Sequence, residues 1–146
     1  MAGFNNTPPA SEFHRHSSWG RTRGPKNLTG AQGASATVSA PTAAPSAATD
    51  GYSTENQRFL HVLLDGTTDT SNLGLVVWAY SHAFGAWGKL TDVNATTCVI
   101  ANSASPQIYR VFEISGVDRV YLQSTTAGAD APPAGADRVY AACSTF

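Results

Sequence analysis

The chain predicts an all-β domain, an antiparallel β-sandwich of jelly-roll type, preceded by an extended N-terminal arm. Three observations predict it. Counting Leu, Ile, Val and Phe, residues 1–50 hold four (Phe4, Phe13, Leu28, Val38) and residues 51–146 hold 23. The second part alternates apolar and polar positions at period two in several short runs, with turn residues about every ten positions and no amphipathic helical pattern. Between the two lies a stretch, 29–50, in which 19 of 22 residues are Gly, Ala, Ser, Thr or Pro.

These divisions give an arm and spacer over 1–50 and a sandwich over 51–146. The first part is too poor in apolar side chains to offset the entropy of ordering it alone. The second is large enough for one small core. Charge divides the same way. The arm carries Arg15, Arg21, Arg23 and Lys26 against Glu12 and Asp50, and the sandwich carries five bases against eight acids. A mildly basic arm suits an acidic protein surface. Four bases are too few to predict a nucleic-acid partner. No run of about 18 apolar residues predicts a membrane span, and the N-terminus lacks the pattern of a secretory signal.

Within the sandwich the first strand is expected over 58–64. Leu60, Val62 and Leu64 share one side and Phe59, His61 and Leu63 the other, so both sides are expected to be covered. The strongest strand pattern is 73–84. There Val76, Trp78, Tyr80, His82 and Phe84 share a face expected to be core. Gly85 and Gly88 around Trp87 mark a bend or bulge. A short strand is expected over 97–101. Segments 107–115 and 118–124 read as a hairpin around Gly116 and Val117, and 138–146 as a closing strand. Cys98 and Cys143 both sit in apolar runs and read as buried thiols, with a disulfide the alternative.

No local pattern predicts chemistry, and the chain is expected to be no enzyme, with no cofactor and no metal. There is no Gly-x-Ser-x-Gly elbow for a nucleophile. The sandwich has only two glutamates, Glu55 and Glu113, and Glu113 is expected to meet solvent or Arg110 or Arg119. His14 and His16 form only half a metal site, and His61 and His82 read as satisfied strand histidines. The oxygens of 65–70 lack full calcium-loop spacing, so a turn is expected. Trp78, Tyr80 and Trp87 could stack on a sugar, which makes a carbohydrate-binding module an alternative function.

The arm itself offers the partner-binding residues. Phe4, Phe13 and Trp19 are large apolar anchors in a segment without its own core. Arg15, Arg21, Arg23 and Lys26 surround them. Pro41 and Pro45 favour an extended spacer whose small side chains lie flat on a neighbour. Fully stretched, 22 residues reach on the order of 70 Å, which would cross an adjacent subunit.

The layout resembles the cement or decoration proteins of tailed bacteriophage capsids. The likeness rests on the Pro-broken polar arm, the small-residue spacer, and a β domain containing RFLHVLLDGT, LVVWAYSHAFGAWGKL and YRVFEISGVDRVYL. It is architectural, spans the whole chain and carries over no individual residue. It implies a β-rich, non-enzymatic homo-oligomer, a trimer or dimer, made in the host cytoplasm and placed on the capsid exterior. Its partner would be the major capsid protein, at joints between subunits, or another virion protein. A neck, tail or head-fibre adaptor is the alternative within the virion.

Overall fold

Along Phe59–Asp65 every second side chain points inward: Leu60, Val62 and Leu64 are fully buried, while Phe59, His61 and Leu63 are half-buried on the opposite side. That strand is the centre of one sheet in a computed structural model, which describes residues 26–29, 37–66, 74–100, 107–125 and 138–145. Nine strands follow in order: β1 Lys26–Asn27, β2 Tyr52–Ser53, β3 Phe59–Asp65, β4 Leu75–Ser81, β5 Ala86–Lys89, β6 Val99–Ile100, β7 Gln107–Glu113, β8 Arg119–Ser124 and β9 Arg138–Ser144. The described residues contain no helix.

All pairings are antiparallel. Sheet I runs β1-β9-β3-β7; sheet II runs β2-β8-β4-β5, with β6 on the edge of β4 that β5 leaves free. The predicted all-β sandwich is the observed fold. Leu60, Leu64, Val139 and Ala141 of sheet I, and Leu75, Val77, Val120 and Leu122 of sheet II, form one buried cluster with Ile100 and Ile114. Burying that much aliphatic surface is the main stabilising term, at about 25 cal/mol per Å².

Three expectations change. The 107–115 and 118–124 segments are not a hairpin: β7 pairs with β3 in sheet I and β8 pairs with β4 in sheet II. A hairpin would leave their apolar sides in one layer, whereas the split puts Val120 and Leu122 opposite sheet I. The corner between them is held by Ile114 N–H donating to the Arg58 carbonyl (2.7 Å) and Asp118 N–H to the Tyr80 carbonyl (3.0 Å).

The aromatic face of β4 lies outside the core between the sheets, although Tyr80 on it is buried. Leu75 and Val77 point inward, so Trp78 and Tyr80 stand on the outer side. Smaller aliphatic side chains fill the narrow space between sheets, and the rings are covered from outside. The segment after Ser81 turns back at once, so the expected bend falls at Gly85, where φ is positive, and Gly88 lies within a strand, Ala86–Lys89, paired with Trp78–Ser81.

The core also takes in residues from the spacer. Val38 and Ala40 are buried, and Val38 N–H donates to the Val139 carbonyl at 2.8 Å. Their spacing of two suits one side of an extended segment, and Thr37 bridges Tyr140. The packed unit therefore takes in described residues before 51: β1 with Leu28, and residues 37–40.

Candidate functional site

The outer face of sheet II is a row of donors, and residues 41–51 lie on it. Ser124 N–H donates to the Pro41 carbonyl (3.0 Å), Gln123 Nε2 to Thr42 (2.7 Å) and the Tyr121 hydroxyl to Ala43 (2.8 Å). Trp87 Nε1 donates to the Ala47 carbonyl (2.8 Å). The Arg119 guanidinium reaches three carbonyls, of Thr49, Asp50 and Gly51, at 2.8–2.9 Å. The donors read backbone only, so the small side chains of the segment serve close approach. Asp50 accepts from the Ser46 and Ala47 N–H groups, both at 2.8 Å. Those two bonds, with Arg119 nearby, hold its carboxyl below the usual carboxylate value against a smaller opposing effect of burial. Burial, with Asp50 nearby, raises the Tyr121 phenol.

The spacer was expected to reach across a neighbouring subunit. Its second half is instead a closed loop, with both ends packed, over this chain's own sheet. Arg119, Tyr121 and Gln123 were not anticipated as its holders. The signal was available: they occupy the alternate positions to Val120 and Leu122.

Beside this loop a cleft of about 380 Å³ is lined by Tyr80, Phe84, Trp87, Lys89, Gly116 and Val117 among others. Phe84 is 85 % exposed there. Among the described residues no carboxylate, histidine or cysteine lines the cleft. Trp78 is occupied on both its polar and aromatic sides: Nε1 donates to Gln123 Oε1 (2.8 Å), and Lys89 Nζ sits 5.6 Å from its ring centre. Tyr80 is buried beside Trp87, with ring centres 5.2 Å apart.

The outer face of sheet I differs. Phe59, Leu63, Tyr140 and Ala142 are half-buried there, and Tyr109 and Val111 are 55 % and 46 % exposed. His61 sits among them. Its Nδ1 is hydrogen-bonded to the Tyr109 hydroxyl and its Nε2 to Ser144 Oγ at 2.6 Å. Burial lowers its pKa. At one end Arg58 pairs with Glu113 (3.2 Å) and lies 5.1 Å from the Phe59 ring centre. Glu113 thus meets Arg58, not Arg110 or Arg119.

Of the partner-binding residues expected in the arm, Phe4, Phe13, Arg15, Trp19, Arg21 and Arg23 lie outside the described residues, as do His14 and His16. Lys26 is in β1, opposite Cys143. Residues 67–70 of the possible calcium turn also lie outside; Asp65 accepts from Gln107 Nε2 at 2.9 Å. His61 is satisfied as expected, whereas His82 is exposed in the turn after β4. Cys98 and Cys143 are both free thiols. Among the described residues no three His, Cys, Asp or Glu side chains come together as a metal site. No protein-family model, curated protein or solved structure matches this chain.

Proposed function

We propose that the chain is a structural virion protein of the capsid cement type, which binds the outside of a phage shell and uses its N-terminal arm to tie neighbouring major capsid subunits together. The observation that carries this reading is the anchorage of the arm's root. Lys26–Asn27 pairs with β9. Residues 37–51 are then held by Val38 in the core and by a series of donors along sheet II. A strap bears load only if its base is fixed, and this base is fixed twice. The spacer that supplies the fixing is not available as reach, so residues 1–25, with Phe4, Phe13 and Trp19, are the part that would grip the shell. Many weak contacts from one tethered segment add up to tight binding.

The test is co-sedimentation with undecorated shells. The full chain is expected to pellet with them, and a chain lacking 1–25 to bind far more weakly. Equal binding by both would remove the arm from the account; no binding by the full chain would remove the cement role. Copy number separates cement, at hundreds per particle, from a neck or tail adaptor in a closed ring of about six to twelve.

A carbohydrate-binding module is the second reading, favoured by the cleft in which exposed Phe84 stands near Trp87. A glycan array with Phe84→Ala as control decides it, since that variant leaves the loop contacts of Trp87 in place.

A further inference from the structure

The two outer faces of the sandwich are treated differently. Sheet II is covered by the chain's own residues 41–51, whereas on the outer face of sheet I Tyr109 and Val111 stay about half exposed. Yet that face is the more apolar. Phe59, Leu63, Val111, Tyr140 and Ala142 lie on three adjacent seven-residue strands. An antiparallel sheet open to water on one side normally alternates apolar with polar residues. β3 is apolar on both sides, the pattern of a strand covered on both.

We propose that the outer face of sheet I is the interface of a twofold homodimer, packed sheet against sheet on a second copy of this chain. This inference stands independently of the virion reading.

Two features select a second copy over a partner of unlike chemistry. The first is the state of the polar groups at the centre. Both His61 nitrogens are bonded within the chain, to Tyr109 and Ser144. Burying the imidazole therefore strands neither of its nitrogens, and it asks no complementary polar group of the partner. The second is the rim. Arg58 and Glu113 lie at one end, and Asp65 lies at the other, in register with Arg138. Both ends carry both signs, so a strongly acidic or strongly basic surface would gain as much repulsion as attraction. A copy turned about a twofold axis lying across the strands brings the Arg58 end over the Asp65 end, and the reverse, so opposite signs meet twice. An apolar, aromatic centre inside a charged rim is the usual anatomy of a specific interface.

The size sets the expected strength. Three strands of seven residues cover about 23 Å by about 14 Å. That footprint is below the standard size of specific interfaces, so a weak association is expected, with a dissociation constant on the order of tens to hundreds of micromolar.

Sedimentation equilibrium of the full chain, from low micromolar to several hundred micromolar, tests this. A monomer–dimer equilibrium is expected. Val111→Glu should weaken it by at least about tenfold, and Val93→Glu, at an exposed loop position, should leave it unchanged. Circular dichroism and thermal melts verify that each variant is folded. Because a single substitution at the face could act through the fold, Arg58→Asp supplies a second arm. It should weaken the dimer, and the doubly swapped chain, Arg58→Asp with Asp65→Arg, should recover it. A chain that stays monomeric throughout, forms a trimer, or dimerises equally with Val111→Glu overturns the interface. Failure of the double swap to recover affinity overturns the crosswise twofold.

Discussion

Trp87 donates its indole N–H to the carbonyl of Ala47 at 2.8 Å, joining β5 to a loop forty positions earlier in the chain. Neither partner is core, yet together with Arg119 they hold residues 47–51, the second half of the loop, on sheet II. Trp87→Phe keeps most of the ring and removes the donor. It should cost about 1 kcal/mol, the ordinary net value of one hydrogen bond. Arg119→Met removes three contacts and should cost about 2 kcal/mol. Urea titrations measure both. Limited proteolysis adds a local reading: cleavage within 41–50 should accelerate in each variant more than global stability falls.

Asp50 closes the turn inside the same loop, and its effect depends on pH in a definite direction. Its folded pKa lies below the ordinary aspartate value, because the Ser46 and Ala47 N–H groups favour the charged form. The associated stability is therefore fully present above the unfolded value. It is lost as pH falls through the folded value. Asp50→Asn lacks this titration. Melting temperatures of the two chains should run parallel at neutral pH, with the variant lower, and converge as pH drops below about 4. A gap that widens in acid would contradict the assignment.

Val38 tests whether the packed unit reaches back before residue 51. It is 1 % exposed among the core residues, so Val38→Ala should cost about 2 kcal/mol. A chain starting at 37 should unfold cooperatively, and one starting at 51 should not, since it lacks Val38, Ala40 and the cover over sheet II. Denaturant unfolding followed by tryptophan fluorescence separates the two outcomes.

That boundary shows what the sequence made legible. Period two in β3, β8 and β9 was plain, and with it the all-β class and most of the buried positions. The β3 pattern also announced a second apolar side, which became the outer face of sheet I. What composition concealed was Val38 and Ala40. Two buried positions inside a run of Ala, Ser and Thr look like linker, because small side chains carry almost no periodic signal. The β7–β8 hairpin misled for another reason. Turn residues at Gly116 and Val117 specify a reversal, but not whether the chain returns to the same sheet; that is decided by which layer has room for Val120 and Leu122. Alternation with Val120 and Leu122 puts the loop-holding side chains on the outer face, but does not match them to the loop, because their targets are backbone carbonyls, which leave no trace in residue identity.

The two thiols should report on different events. Cys98 is half-buried, and burial, with Asp92 nearby, raises its pKa. Cys143 is pushed up to about 12, mainly by burial, with Glu55 adding to it. A disulfide reagent at pH 8 should modify Cys98 in the folded chain, more slowly than free cysteine. Cys143 should react only at the rate of unfolding. Mass spectrometry of the native protein should show one adduct, rising to two in denaturant; two fast adducts in the native chain would place Cys143 outside the core.

Gly51 and Gly85 share a backbone requirement and differ in their surroundings, which makes them a controlled pair. Both have positive φ, +66° and +62°, where an L side chain is strained. A Cβ at Gly85 would meet nothing within 4 Å, so Gly85→Ala should cost only the conformational term, about 1 kcal/mol. A Cβ at Gly51 would lie 2.2 Å from the Val120 carbonyl oxygen, a contact with backbone that no rotamer relieves. The strand pairing of Tyr52 with Val120 and the Arg119 bond to the Gly51 carbonyl both depend on that approach. Gly51→Ala must therefore shift β2 away from β8 and release the end of the 41–51 loop. It should cost at least about 2 kcal/mol more than Gly85→Ala. In hydrogen exchange, protection should fall along 46–53 for the Gly51 variant and stay unchanged there for the Gly85 variant. Equal costs for the two substitutions would show that the loop does not need its close seat against β8.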